Sequence, residues 1–122
     1  MAGATVMNQV LKYIFERARP QLWEQLVHET SYSFPSGHAM VSAALGLAVV
    51  AALWNSRWRW WAVGVATVYI LFVGFSRLYL GVHYPTDVLG GWLVSAAWVT
   101  AVALVLRRRT VLLPPTPHSV SK

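Results

Sequence analysis

The 122-residue chain has no cysteine, so no disulfide can hold it together and its redox compartment cannot be read from thiols. Charge is scarce as well. Only 11% of residues are Asp, Glu, Lys or Arg, against about a quarter in ordinary soluble domains, while 57% are hydrophobic. Acidic residues number four and basic ones ten, a formal net charge of +6. The basic residues lie between apolar segments rather than along one stripe. That spacing speaks for membrane topology and a local anion site, and against nucleic acid. A basic leader is missing too: "MAGATVMNQVLKYIFERARP" reaches Lys12 and Glu16 before any long apolar core forms, so it does not read as a cleavable signal peptide. There are no internal repeats.

What is present is three runs without a charge: "AMVSAALGLAVVAALWNS" between His38 and Arg57, "WWAVGVATVYILFVGFS" from Trp60 to Ser76, and "VLGGWLVSAAWVTAVALVL" from Val88 to Leu106. At about 1.5 Å per residue each approaches the length that crosses a hydrocarbon core of about 30 Å. Backbone in lipid must satisfy its own polar groups, so the runs predict helices. The chain is therefore expected to be an all-α transmembrane bundle with three full spans. The start, "GATVMNQVLKYIFERAR", repeats Val6, Val10, Leu11 and Ile14 at helical spacing but is too short to span. It predicts the outer end of a preceding helix, stopped by Pro20. Residues 1–110 form the expected membrane domain. Residues 111–122, ending "LPPTPHSVSK", read as a flexible cytoplasmic tail.

Arg57 and Arg59 follow the first span, and Arg107, Arg108 and Arg109 follow the third. Both clusters fall on one face, which the positive-inside rule makes cytoplasmic, and Trp54, Trp58, Trp60 and Trp61 suit an aromatic belt at that level. Trp98, mid-span, is expected to serve packing. Ser42/Gly46 and Gly91/Ser95 have the spacing of close helix contacts. The remaining polar segments, Lys12 to His38 and Arg77 to Asp87, then share the outer face.

Lys12 and Arg19, about two turns apart, are expected on one helix face. In "SYSFPSGHAM", Ser36, Gly37 and His38 open the first span. A helix N-terminus with a hydroxyl and a glycine can bind an anion, but Ser36 can equally be a plain N-cap beside a loop histidine. In "SRLYLGVHYPTD", Gly81 suits a C-cap, Pro85 a first turn, and Asp87 the positive end of the next helix. Asp87 can orient His83, or it can pair with Arg77 and leave the histidine idle. Among the residues singled out in the three segments, Lys12, Arg19 and Arg77 outnumber Asp87, an excess that suits a dianion such as phosphate.

"KYIFERARP", "PSGH" and "SRLYLGVHYPTD" resemble the three-part signature of the type 2 phosphatidic acid phosphatase superfamily, which includes lipid phosphate phosphatases and vanadium haloperoxidases. Lys12, Arg19-Pro20, Pro35-Ser36-Gly37-His38, Ser76-Arg77, His83 and Asp87 meet every position, in order. The resemblance covers about Asn8 to Trp92. It implies catalysis by His38, His83 and Asp87, with phosphate held by Lys12, Arg19, Ser36, Gly37 and Arg77. His83 would form a phosphohistidine, and His38 would serve as acid and then base. It implies no metal and no other cofactor, and Asp87 is the sole acidic motif residue. The implied substrate is a membrane lipid phosphate: phosphatidic acid, phosphatidylglycerol phosphate or a polyprenyl diphosphate. The implied setting is a bacterial inner membrane, with the site on the outer, periplasmic face.

Membrane members of that family have about six spans, so the chain corresponds to the C-terminal half of the fold. A fragment, a misplaced start, and a short form completed by a partner are all compatible with this. Two other functions stay open in the sequence: a non-catalytic membrane module that binds lipid phosphates or packs on a partner, and a vanadate-dependent haloperoxidase. His28 and His118 lie outside the motifs and are read as incidental.

Overall fold

A computed structural model of the protein describes residues 2–21 and 30–112. His28, His118 and residues 113–122 of the expected tail lie outside the described residues. Four helices follow in order: α1 (Ala2–Phe15), α2 (Gly37–Ala52), α3 (Arg59–Tyr79) and α4 (Pro85–Leu112), with no strand among the described residues. The all-α expectation is met. Helix α2 is the hub, packing against the other three, while α3 and α4 touch more sparingly.

The count of spans differs from expectation. Helices α3, with 21 residues, and α4, over Pro85–Arg108, are long and apolar enough to cross a membrane; α2 has only 16 residues. The apolar run had extended to Ser56, but the helix stops at Ala52. Asn55 and Ser56 compete for backbone bonds, and a turn replaces the last helical turn, with Ser56 N–H donating to the Leu53 carbonyl at 2.9 Å and Trp58 N–H to Ser56 Oγ at 3.2 Å. Helix α4, conversely, runs to Leu112 and takes in the first two residues of the expected tail.

Helix α1 turns Asn8 and Lys12 inward, while Thr5 and Gln9 stay exposed. Ala4, Asn8 and Lys12, four residues apart, are all at least nine-tenths buried, whereas Val6, Val10, Tyr13 and Ile14 are exposed. On α3, Val65, Val68, Phe72 and Phe75 are likewise exposed. Apolar faces turned outward around a polar-lined interior are the arrangement a lipid environment selects. Helix α1 ends at Phe15, well short of Pro20. Glu16 takes a positive φ of 42°, and Arg17 and Arg19 leave the helix for tertiary partners.

Small residues set the close contacts, as their spacing suggested. Ser42, Gly46, Gly91 and Ser95 are all buried. Ser95 Oγ donates to the Met40 carbonyl at 2.7 Å, and a Cβ at Gly46 would fall 2.8 Å from Ile70. Trp98 packs on the Ala4–Met40–Ala44 core. At the opposite end from the polar motifs, Trp54 and Asn55, which shortly precede Arg57 in the chain, line one groove together with Arg107.

Candidate active site

Two helix N-termini and one turn make the site. Ser36 caps α2: it is fully buried, its Oγ accepts the Ala39 N–H at 3.5 Å, and its own N–H donates to the Asp87 carbonyl at 3.0 Å. That last bond ties the start of α2 to the start of α4, and it needs Gly91, where a Cβ would sit 2.9 Å from the Ser36 carbonyl oxygen. Helix α3 ends at Tyr79, and Gly81, at φ 70°, turns the chain as the expected C-cap glycine. His83 follows. Pro85 is the first residue of α4, and Asp87 returns to accept the Tyr84 N–H on Oδ2 at 2.8 Å, the reciprocal half of a capping box.

Asp87 is completely buried and surrounded by donors. Besides Tyr84 N–H, Oδ2 accepts the Ser33 hydroxyl, and Oδ1 accepts Arg17 Nη1 at 2.9 Å. Its ion partner is thus Arg17, and not the Arg77 that the sequence offered. His83 Nδ1 lies 3.5 Å from Oδ2, buried and without an aligned hydrogen bond. On the other side of the ring, Arg19 Nη1 lies 3.4 Å from Nε2 while donating to the Val82 carbonyl at 2.8 Å. Guanidinium can only donate, so a hydrogen bond at this contact requires the Nε2 lone pair, and the ring proton then belongs on Nδ1, toward Asp87.

A cleft of about 370 Å³ opens beside this ring, lined by Thr5, Asn8, Lys12, Gly37, His38, Val41 and His83. Both imidazoles therefore face one cavity. Lys12 is buried, and its Nζ donates to Ser31 Oγ at 2.7 Å; Arg19 Nη2 reaches the same oxygen at 3.2 Å. The expected shared helix face is replaced by this meeting at Ser31. With Arg17 opposite Asp87, Lys12 and Arg19 give the region its positive balance. His38 is exposed at the mouth.

Two expected phosphate ligands are placed differently. Ser36 Oγ accepts in the helix cap, the plainer of its two sequence readings, and the buried residue is not part of the cleft wall. Arg77, on the last turn of α3, is not part of the cleft wall, and its Nε donates to Ser76 Oγ at 3.2 Å. Arg17, Ser33 and Asn8 were not singled out in the sequence. Asn8 Nδ2 donates to the Pro35 carbonyl at 3.1 Å and fixes one wall. Among the described residues no three His, Asp or Glu side chains gather as a metal site would require. A larger groove of about 530 Å³ between α2 and α3, lined by Leu45, Val49, Trp61 and Tyr69 among others, is apolar and carries no motif residue.

The chain is similar to known proteins along most of its length. Phosphatidylglycerophosphatase B of Bacillus subtilis (strain 168) is 44% identical over 92 residues, which cover 71% of this chain and 45% of that protein. Undecaprenyl-diphosphatase of Sulfolobus acidocaldarius is 34% identical over 106 residues, covering 83% of this chain and 48% of the relative. A crystal structure described as the first transmembrane PAP2 type phosphatidylglycerolphosphate phosphatase, from Bacillus subtilis, superposes with a TM-score of 0.76 at 35% identity, covering 94% of this chain and 58% of that one. The chain thus spans about half the length of the curated relatives it matches. Apolar helices α3 and α4 and the likeness to a transmembrane enzyme make it an integral membrane protein. The family model of the PAP2 superfamily matches residues 1–110, the same stretch that carries all three motifs and folds them around one cleft; the chain belongs to the PAP2 superfamily.

Proposed function

We propose that the protein is a membrane phosphatase that hydrolyses a lipid phosphate through a phosphohistidine on His83, without a metal. The observation that carries this reading is the cleft shared by His83, His38, Lys12 and Gly37, with Nε2 of His83 3.4 Å from the Arg19 guanidinium. Nε2 attacks phosphorus in line with the departing alcohol oxygen. Lys12, Arg19 and the Gly37 amide hold the equatorial oxygens, where negative charge spreads in the transition state. Arg77 turns from Ser76 to join them. Asp87 holds the Nδ1 proton as the ring gains positive charge. His38, at the exposed mouth, protonates the leaving oxygen and then deprotonates the water that releases inorganic phosphate.

The substrate class follows from relatives that are a phosphatidylglycerophosphatase and an undecaprenyl-diphosphatase. A lipid whose headgroup carries a terminal phosphate presents it at helix-end depth, with its chains beside the apolar flanks of α1 and α2. The site lies on the outer, periplasmic face of a bacterial inner membrane, opposite the arginine clusters, and the C-terminus is cytoplasmic. The test is phosphate release by the reconstituted protein from phosphatidylglycerophosphate, phosphatidic acid and undecaprenyl diphosphate. Release from at least one, lost in His83→Ala, is expected; equal release by His83→Ala excludes the reading.

A further inference from the structure

Arg17 and Ser33 reach Asp87 together. The Ser33 N–H donates to the Arg17 carbonyl at 2.8 Å, so the two residues are paired through their backbones. Their side chains take opposite oxygens of one carboxylate, Arg17 on Oδ1 and Ser33 on Oδ2. The Arg17 guanidinium also donates to Thr86 Oγ1 at 2.7 Å and lies over the Tyr84 ring, 4.3 Å from its centroid. Tyr84, Thr86 and Asp87 are three of the four residues that directly follow His83. One cation therefore grips the turn carrying the nucleophile at three points, with a hydroxyl closing the far side.

We propose that Arg17 and Ser33 are positioning residues that clamp Asp87 and, only through it, set the orientation and tautomer of His83. Oδ2 already accepts two donors, and His83 Nδ1 stands 3.5 Å away with no aligned acceptor of its own. A freely rotating carboxylate would offer the ring either oxygen, or neither. With Oδ1 fixed by Arg17, Oδ2 alone faces Nδ1, and the proton stays on the side away from the attacking nitrogen. A clamp of this kind does not touch substrate: neither residue lines the cleft.

The consequence for rate rests on the phosphatase reading; the consequence for the ring does not. Arg17→Met, Arg17→Lys, Ser33→Ala, Asp87→Asn and Arg17→Met/Asp87→Asn are made in the full chain. The Arg17 side chain is 39% exposed, so its loss opens no core cavity. Expected for Arg17→Met is a kcat lower by about 10- to 100-fold, the range typical of residues that orient a reacting group's ligand, with KM held within about twofold. Arg17→Lys recovers part of the rate, and Ser33→Ala loses less than Arg17→Met. In the Asp87→Asn background, Arg17→Met costs less than about twofold more, because both changes remove the same function. Losses that multiply, or a raised KM at unchanged kcat, would show that Arg17 meets substrate directly and overturn the clamp. Independently, ¹⁵N-histidine NMR in detergent, with His83 assigned by His83→Gln, reads the ring itself. The wild type is expected to hold the proton on Nδ1, and Arg17→Met to mix the tautomers; an unmoved His83 signal overturns the proposal. Should the wild type release no phosphate, the phosphatase reading fails and the NMR result alone decides the clamp.

Discussion

Replacing Gly91 by alanine tests whether the α2–α4 contact builds the site. The added Cβ would stand 2.9 Å from the Ser36 carbonyl oxygen, 3.2 Å from Ala39 Cβ and 3.2 Å from the Met40 backbone nitrogen. Two of these neighbours are backbone atoms of the first α2 turn, and Ser36 N–H is itself bonded to the Asp87 carbonyl, so the strain cannot pass to a flexible side chain. Overpacking of this kind costs about 1–3 kcal/mol. Helix propensity offsets about 1 kcal/mol of it, since alanine outranks glycine within a helix. Gly64 is the internal control: it also lies within a helix, and a Cβ there meets nothing within 4 Å. Gly64→Ala therefore keeps the propensity gain without the clash. The two variants should differ by about 1–3 kcal/mol, or roughly 4–12 °C in unfolding temperature at about 4 °C per kcal/mol. Thermal unfolding in one detergent, followed by tryptophan fluorescence, measures it. Phosphate release should fall in Gly91→Ala alone. If the two variants unfold together, the close approach at Gly91 does not hold the site and the reasoning fails.

Lys12→Met removes a buried cation from the cleft and should lower kcat/KM by about 10²- to 10³-fold, as loss of a transition-state donor does; steady-state phosphate release decides it. His38→Ala should cost far more with a lipid alcohol leaving group than with p-nitrophenol, which departs without a proton; equal losses would remove His38 from the acid role. The dependence of kcat/KM on pH should be bell-shaped, because His83 must carry a lone pair on Nε2 while His38 carries a proton, and a single-limbed profile would contradict that pairing. Activity should survive EDTA, and inhibition reversed by added divalent metal would refute the metal-free mechanism.

The helices and most of the site were legible because their signals are local. Charge-free runs demand helices, Gly81 announces a turn, and Pro85 with Asp87 announces a helix start; each rests on backbone chemistry within a few residues. The end of α2 was misjudged for a local reason as well, since hydropathy is blind to the turn that Asn55 and Ser56 form. What could not be read was pairing across the chain. "ERAR" offers two arginines, and nothing nearby distinguishes Arg17, which finds Asp87, from Arg19, which finds His83 and Ser31. Ser33 and Ser36 flank one proline, yet one grips the carboxylate and the other caps a helix. Arg77 was the natural partner for Asp87 by proximity in sequence, and tertiary structure supplied Arg17 instead. Even the outward apolar stripe of α1 was visible as periodicity, but which way it faced depended on Asn8 and Lys12 having partners inside.

The covalent intermediate is the most direct measure of the central claim. Protein turning over a ³²P-labelled lipid phosphate, quenched in alkali to preserve an acid-labile phosphoramidate, should carry label on His83. The label should disappear in His83→Ala and accumulate in His38→Ala when an aryl phosphate loads the enzyme, because the hydrolytic base is then gone. Label on any other residue, or full turnover by His83→Ala, would contradict the account.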